Sequence, residues 1–214
     1  LAVVGIVPAA GSGERLGADG PKAFVVCAGR PLVEWSLDVL EQVCDRVVVA
    51  APPGYEDGPG RVLGGVVRSD SVRRALAQAP EARVVVVHDA ARPLVTVEIV
   101  RACVAAVREG WQGAIAAARM TDTVKQTGAD LGVERTLDRS RLWSIQTPQA
   151  FDAATLRSAL DVPFETLAAA TDDASLVEAA GGAVRVVESP PENFKVTRPL
   201  DLELAALMLR ARGS

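Results

Sequence analysis

Short runs of β-branched residues recur along the chain, separated by stretches with helical spacing. Val3-Val4-Gly5-Ile6-Val7, Arg46-Val47-Val48-Val49-Ala50, Arg83-Val84-Val85-Val86-Val87 and the segment 113–118 each read as a strand buried on both faces. Between them lie helical patterns: 32–40 behind Pro31, a segment through Leu76 to Gln78 with Ser71 in the N-cap position, 96–109, 172–180 and the tail 199–212. Further strands are expected at 61–63, 142–149 and 183–187. Such alternation leaves few options, and the one it favours is an α/β fold with a mostly parallel sheet covered by helices on both faces. The 214 residues form one expected domain, 1–214, with no internal repeat.

Composition excludes several function classes. The net charge of −4 offers no electrostatic footprint for nucleic acid, so phosphate binding would need local clusters of cations. Cys27, Cys44 and Cys103 are odd in number and form no CxxC pair, which favours buried thiols in a reducing compartment over disulfides or zinc. No 18-residue apolar run occurs, and the start lacks a basic segment followed by a longer apolar one. A cytoplasmic protein without membrane contact is the expectation. His88 is the single histidine and is expected to pack at a strand end rather than to catalyse.

Behind the first strand comes PAAGSGERLGADGPK, in which Gly11 and Gly13 allow close backbone approach and Arg15 and Lys22 add two cations. A dinucleotide fingerprint is broken at Leu16, where its third glycine should stand, and the string required for a P-loop is absent. A nicotinamide oxidoreductase is thereby disfavoured. The loop alone is also compatible with a tight strand-to-helix turn whose charges are merely solvated. Gly64-Gly65 and Asp89 also follow strand ends, however, and in a parallel sheet these ends share one crevice.

PAAGSGERLGADGPK, GGVVRSDSV, VHDAARP, DTVK, LDRSRLW, TPQAF, TDDAS and NFKVTRPLDL occur in this order over nearly the whole chain. In these stretches the chain resembles the bacterial 2-C-methyl-D-erythritol 4-phosphate cytidylyltransferases of the non-mevalonate isoprenoid pathway. The resemblance implies a Rossmann-like nucleotidyltransferase with a protruding β-arm. It implies CTP and a sugar-alcohol phosphate as substrates, Mg²⁺ as cofactor, and a homodimer. Ribitol 5-phosphate is the rival acceptor on a similar scaffold, and a nucleotide-binding regulator without turnover is the rival outside catalysis.

Site residues follow from the same resemblance. Arg15 and Lys22 would stabilise charge developing on the α-phosphorus, while Arg139 and Lys195 would hold the acceptor phosphate. Ala9, Ala10, Gly11, Gly13, Gly65, Arg68 and Ser71 would form the nucleotide pocket. Asp89 would be the metal ligand and touch substrate, joined by Arg92, Thr123, Thr147 and Thr171. Bland alternatives stand beside these: Ser71 as a helix cap, Asp89 paired with Arg92 across a turn, and Lys195 solvated on an edge-strand pattern.

The polar segment 119–139 is too long for a plain connection and reads as a hairpin turning near Gly128 and Gly132. It matches the family's β-arm, which would place Thr123 and Arg139 near a site shared between subunits; a mobile lid is the alternative. Val66-Val67 depart from the polar or acidic residues that the family often carries there, so the resemblance implies at most a backbone contact to ribose or base at these positions.

Overall fold

The computed structural model describes residues 2–13, 16–17 and 20–212. Seven strands form the main sheet: β1 (Val3–Pro8), β4 (Arg46–Ala51), β5 (Arg61–Leu63), β6 (Val84–Val87), β7 (Gly113–Arg119), β10 (Trp143–Asp152) and β11 (Val184–Glu188). Their order is β11-β7-β10-β6-β1-β4-β5. Only β10 runs antiparallel to its neighbours; β1 pairs in parallel with both β4 and β6. The chain leaves β1 toward β4 and β5 and then returns to β6 on the other side. That reversal opens a crevice at the carboxyl ends of β1 and β6.

Period-2 alternation divides the core. Val3, Val7, Val84 and Val86 face α1 (Leu32–Leu40) and α3 (Val97–Arg108). On the opposite face, Val4, Ile6, Val85 and Val87 pack with α2 (Arg68–Ala77), α4 (Ala153–Leu160), α5 (Phe164–Ala169) and α6 (Asp173–Ala179). A small hairpin of β2 (Val26–Cys27) and β3 (Arg30–Pro31) packs through Cys27, together with Leu32 of α1, onto Ala205 and Leu209 of α7 (Pro199–Arg212). No helix among the described residues is long and apolar enough to cross a membrane.

Two expectations need correction. Ser71 is not an N-cap: α2 begins three residues earlier, behind Val67, whose side chain offers no cap. Lys195 is not on a strand, because Pro190, Pro191 and Pro199 flank a segment that runs over the sheet's end as a loop. Three elements escaped the sequence reading, namely α4, α5 and the β2–β3 hairpin. The segment 119–139 does hold a hairpin, of β8 (Lys125–Thr127) and β9 (Val133–Thr136). Every residue of both strands is exposed, as is Leu131 at the turn.

Candidate active site

One cavity of about 220 Å³ lies at the crevice. Behind β1, the chain contributes Ala9, Ala10 and Gly11, and a 3₁₀ turn at Lys22–Phe24 brings in Lys22. The β5–α2 junction supplies Gly65, Arg68 and Ser71, and the turn after β6 supplies Asp89. Lys195 reaches in from the loop behind β11. Gly13 lines an adjoining cavity of about 400 Å³, which shares Gly11, Lys22 and Lys195 with the first. Residues far apart in sequence thus converge where the strand order predicts.

Close packing shapes the rim. Gly13 has φ +76°, and a Cβ there would lie 2.8 Å from Cβ of Lys22, so the glycine lets the lysine segment fold over the loop. The Lys22 amide donates to the Gly11 carbonyl (3.2 Å). At Gly65 a Cβ would meet the Asp70 side chain, which is buried and held by Arg73 (2.6 Å) and Arg74 (3.0 Å). Ser71 turns its hydroxyl back, accepting from the Gly65 amide (2.9 Å) and donating to the Val67 carbonyl (3.2 Å). This bond holds the glycine corner against α2. Val66, 85% exposed, and Val67 present apolar side chains at the mouth.

Asp89 is the electrostatic centre. Its Oδ1 accepts from Arg68 Nε (3.1 Å), its Oδ2 faces Lys195 Nζ (2.8 Å), and Arg92 Nε lies 3.9 Å away. Burial alone would raise its pKa, but Arg68, Lys195 and Arg92 outweigh burial and hold the carboxyl well below the usual range. The Asp89–Arg92 pairing considered from sequence is thus the weakest of three contacts. Arg68 also donates to Asp173 Oδ2 (2.5 Å), a carboxylate with no solvent exposure. Burial pushes the Asp173 carboxyl up, and Arg68 opposes that. Arg68 is therefore a clamped cation that shapes the wall. Asp173 lay within the TDDAS motif, but nothing in that string told it from its neighbours; its partner is 105 residues away.

The other expected residues divide. Arg92 is buried and spends its guanidinium on the carbonyls of Asn193 (2.8 Å) and Ile145 (3.4 Å). It also borders a further depression of about 370 Å³ beside Lys195. Thr147 is buried behind the site, where its hydroxyl accepts from the Asp89 amide (2.9 Å). Thr123 and Thr171 are exposed and line neither cavity, and Arg139 is exposed with Nη1 donating to the Thr121 carbonyl. Arg15 lies outside the described residues. His88 has no solvent exposure, and burial pushes its pKa down to about 4, so it packs as a neutral ring. Asn193 was missed by sequence reading; its amide donates to the Thr147 carbonyl (2.9 Å) and to Gln146 (2.8 Å).

Four cations, Lys22, Arg68, Arg92 and Lys195, thus gather around two carboxylates, Asp89 and Asp173. A site with this surplus is built for polyanions. The family model described as 2-C-methyl-D-erythritol 4-phosphate cytidylyltransferase, IspD, matches residues 3–211. The chain belongs to that family. A cytidylyltransferase of this name from Frankia casuarinae is 45% identical over 97% of this chain and 81% of its own length. Another from Nocardia farcinica is 42% identical, covering 99% and 96%. The crystal structure of the Thermus thermophilus enzyme superposes with a TM-score of 0.81 at 37% identity, over 98% of this chain and 100% of that one. Like those cytidylyltransferases, the chain is a nucleotidyltransferase of the non-mevalonate isoprenoid pathway.

Proposed function

We propose that the chain joins CTP to 2-C-methyl-D-erythritol 4-phosphate, releasing pyrophosphate. The observation that carries this reading is Asp89 caged by Arg68 and Lys195 in the wall of a glycine-lined cavity that Lys22 also lines. An oxygen of the acceptor phosphate forms a bond to the α-phosphorus while the bond to the bridging oxygen of pyrophosphate breaks. The phosphate is anionic at neutral pH and needs no general base, which agrees with the buried neutral state of His88. The chain's task is to align two mutually repelling phosphates and neutralise charge in the transition state.

Nucleoside would occupy the cavity beside Ala9, Ala10, Gly65 and Ser71, with the triphosphate running over Gly11 and Gly13 into the adjoining one. Lys22 would meet the charge developing on the α-phosphate, together with Arg15. Lys195 sits between the two cavities and the depression lined by Arg92, a position suited to the acceptor phosphate. Arg139 and Thr123 fit as contributions from the arm of a second subunit, since their own subunit leaves them outside the cavities. The reading includes a homodimer built through residues 119–139. It also includes a reducing, cytoplasmic setting, which the three free buried thiols favour.

Among the described residues no three acidic, histidine or cysteine groups gather as a metal cage. Asp89 fits Mg²⁺ nonetheless, because this ion takes one or two carboxylates and fills its shell with water and phosphate oxygens. Both Asp89 oxygens already face cations, so the fit depends on phosphates brought by the nucleotide. Bound there, the ion would neutralise phosphate charge.

Pyrophosphate release with CTP, Mg²⁺ and each candidate acceptor tests the reading. Release with 2-C-methyl-D-erythritol 4-phosphate, but not with ribitol 5-phosphate or without acceptor, is expected. Release with ribitol 5-phosphate alone overturns the acceptor assignment, and CTP binding without release overturns the enzyme.

A further inference from the structure

The turn that presents Asp89 is tied from behind by the ring of His88. Nε2 of the imidazole lies 3.2 Å from the Arg92 carbonyl, and Nδ1 lies 3.1 Å from Thr147 Oγ1. A carbonyl can only accept, so Nε2 must bear a proton. In the neutral ring Nδ1 is then bare, and Thr147 donates its hydroxyl proton to it. The same oxygen accepts from the Asp89 amide, 2.9 Å away. Donors and acceptors therefore run one way: Asp89 amide to Thr147, Thr147 to His88, His88 to the Arg92 carbonyl. The Arg92 amide closes the turn onto the Asp89 carbonyl (3.0 Å).

We infer that His88, locked as its Nε2–H tautomer by Thr147, is a positioning residue that fixes the Asp89–Arg92 turn and so the aim of the Asp89 carboxylate. The lock also spans the three segments that build the site. Thr147 belongs to β10, where pairing with β7 is irregular between Ile145 and Gln149. Its carbonyl accepts from Asn193 (2.9 Å), two residues before Lys195, and the Val196 amide donates to the Ala91 carbonyl (2.8 Å). Asp89 and Lys195, the 2.8 Å ion pair, are thus anchored to one buried framework. Reading this as a catalytic framework rests on the proposed reaction; the tautomer does not.

His88 is the only histidine, so one imidazole appears in the long-range ¹⁵N–¹H spectrum of the intact protein. The expected pattern is a neutral ring protonated at Nε2, its bare Nδ1 accepting a hydrogen bond. Thr147→Val should abolish that bond, speed exchange of the Asp89 amide, and lower kcat about tenfold, the size of one buried hydrogen bond. The KM for CTP should hold, because the loop 9–13 is untouched, and Thr147→Ser should restore kcat. A ring protonated at Nδ1, or a Thr147→Val enzyme with unaltered kcat, overturns the inference. Should Thr147→Val fail to fold, the spectrum of the unaltered protein still decides. An unaltered protein that releases no pyrophosphate overturns the reaction instead.

Discussion

Two glycines of the site are small for opposite reasons, and substituting them separates fold from ligand. At Gly65 an added Cβ would sit 2.1 Å from Oδ2 and 2.6 Å from Cβ of Asp70. The second atom is next to the backbone, so rotating the side chain cannot relieve the overlap. Either the first turn of α2 shifts or the buried Asp70 leaves Arg73 and Arg74. Overpacking of this kind costs about 1–3 kcal/mol. For a chain of this size each kcal/mol moves Tm by about 2–4 °C, so Gly65→Ala should melt about 4–8 °C lower for a cost near 2 kcal/mol. Gly11 lines both cavities, yet a Cβ there meets nothing within 4 Å, and its φ is not in the positive region. Gly11→Ala should hold Tm or raise it slightly, as loss of unfolded-state freedom gives about 0.4–1 kcal/mol. Its methyl would instead occupy space meant for the nucleotide and raise the KM for CTP at least about tenfold, the equivalent of 1.4 kcal/mol. Thermal melts beside CTP titrations read both effects. Equal Tm losses in the two variants, or an unaltered KM in Gly11→Ala, would refute the division.

Lys22→Ala should lower kcat about 100- to 1,000-fold with a modest change in KM, since its contact strengthens in the transition state. Arg139→Ala should raise KM for the acceptor as well; equal kcat losses with unchanged acceptor KM in both count against the assignment. Light scattering should give a dimer for the intact chain, and removing residues 125–136 should give an inactive monomer; full activity of a monomer at low concentration would sink the shared site. In chelator, stability should fall as pH drops from 6.5 to 4, because the folded ring of His88 resists the proton that the unfolded one takes up. A shift from the ordinary 6.5 to about 4 is worth about 3 kcal/mol. Urea midpoints of His88→Gln should lack this share of the slope, and parallel pH curves for the two proteins would contradict it.

How much of this was legible depended on the range of the interaction. β1, β4, β6 and β7 are dense in Val, Ile and Ala because both sheet faces are covered, and composition alone declares them. At six residues α5 offers too few turns for periodicity to register, and α4 follows β10 with no break between them. Asp152 does cap α4, accepting from the Thr155 amide (2.9 Å), but within β10 it reads as a strand residue. Ser71 misled because a serine ahead of an apolar run looks like a cap, whereas its hydroxyl serves Gly65 across the corner. Asp89 and Lys195 could be named from motifs, but not their 2.8 Å pairing, which requires the loop after β11 to fold across the end of β6. The family resemblance implied a substrate contact for Thr147; its hydrogen bonds to the Asp89 amide and His88 become visible only in the fold.

The charge arrangement explains why so many of these residues contact one another before any substrate arrives. A cluster of four cations left in a low-dielectric crevice would repel itself, and Asp89 and Asp173 hold it together. The same carboxylates limit what the site can bind. On the proposed reading, a lone phosphate must compete with Asp89 for Lys195 and with Asp173 for Arg68, whereas a triphosphate would engage Lys22, leaving the Arg68 clamp intact and Lys195 to the acceptor phosphate. On that reading, selectivity for nucleotide over simple anions would follow from partial neutralisation, with the glycine-lined walls supplying the shape.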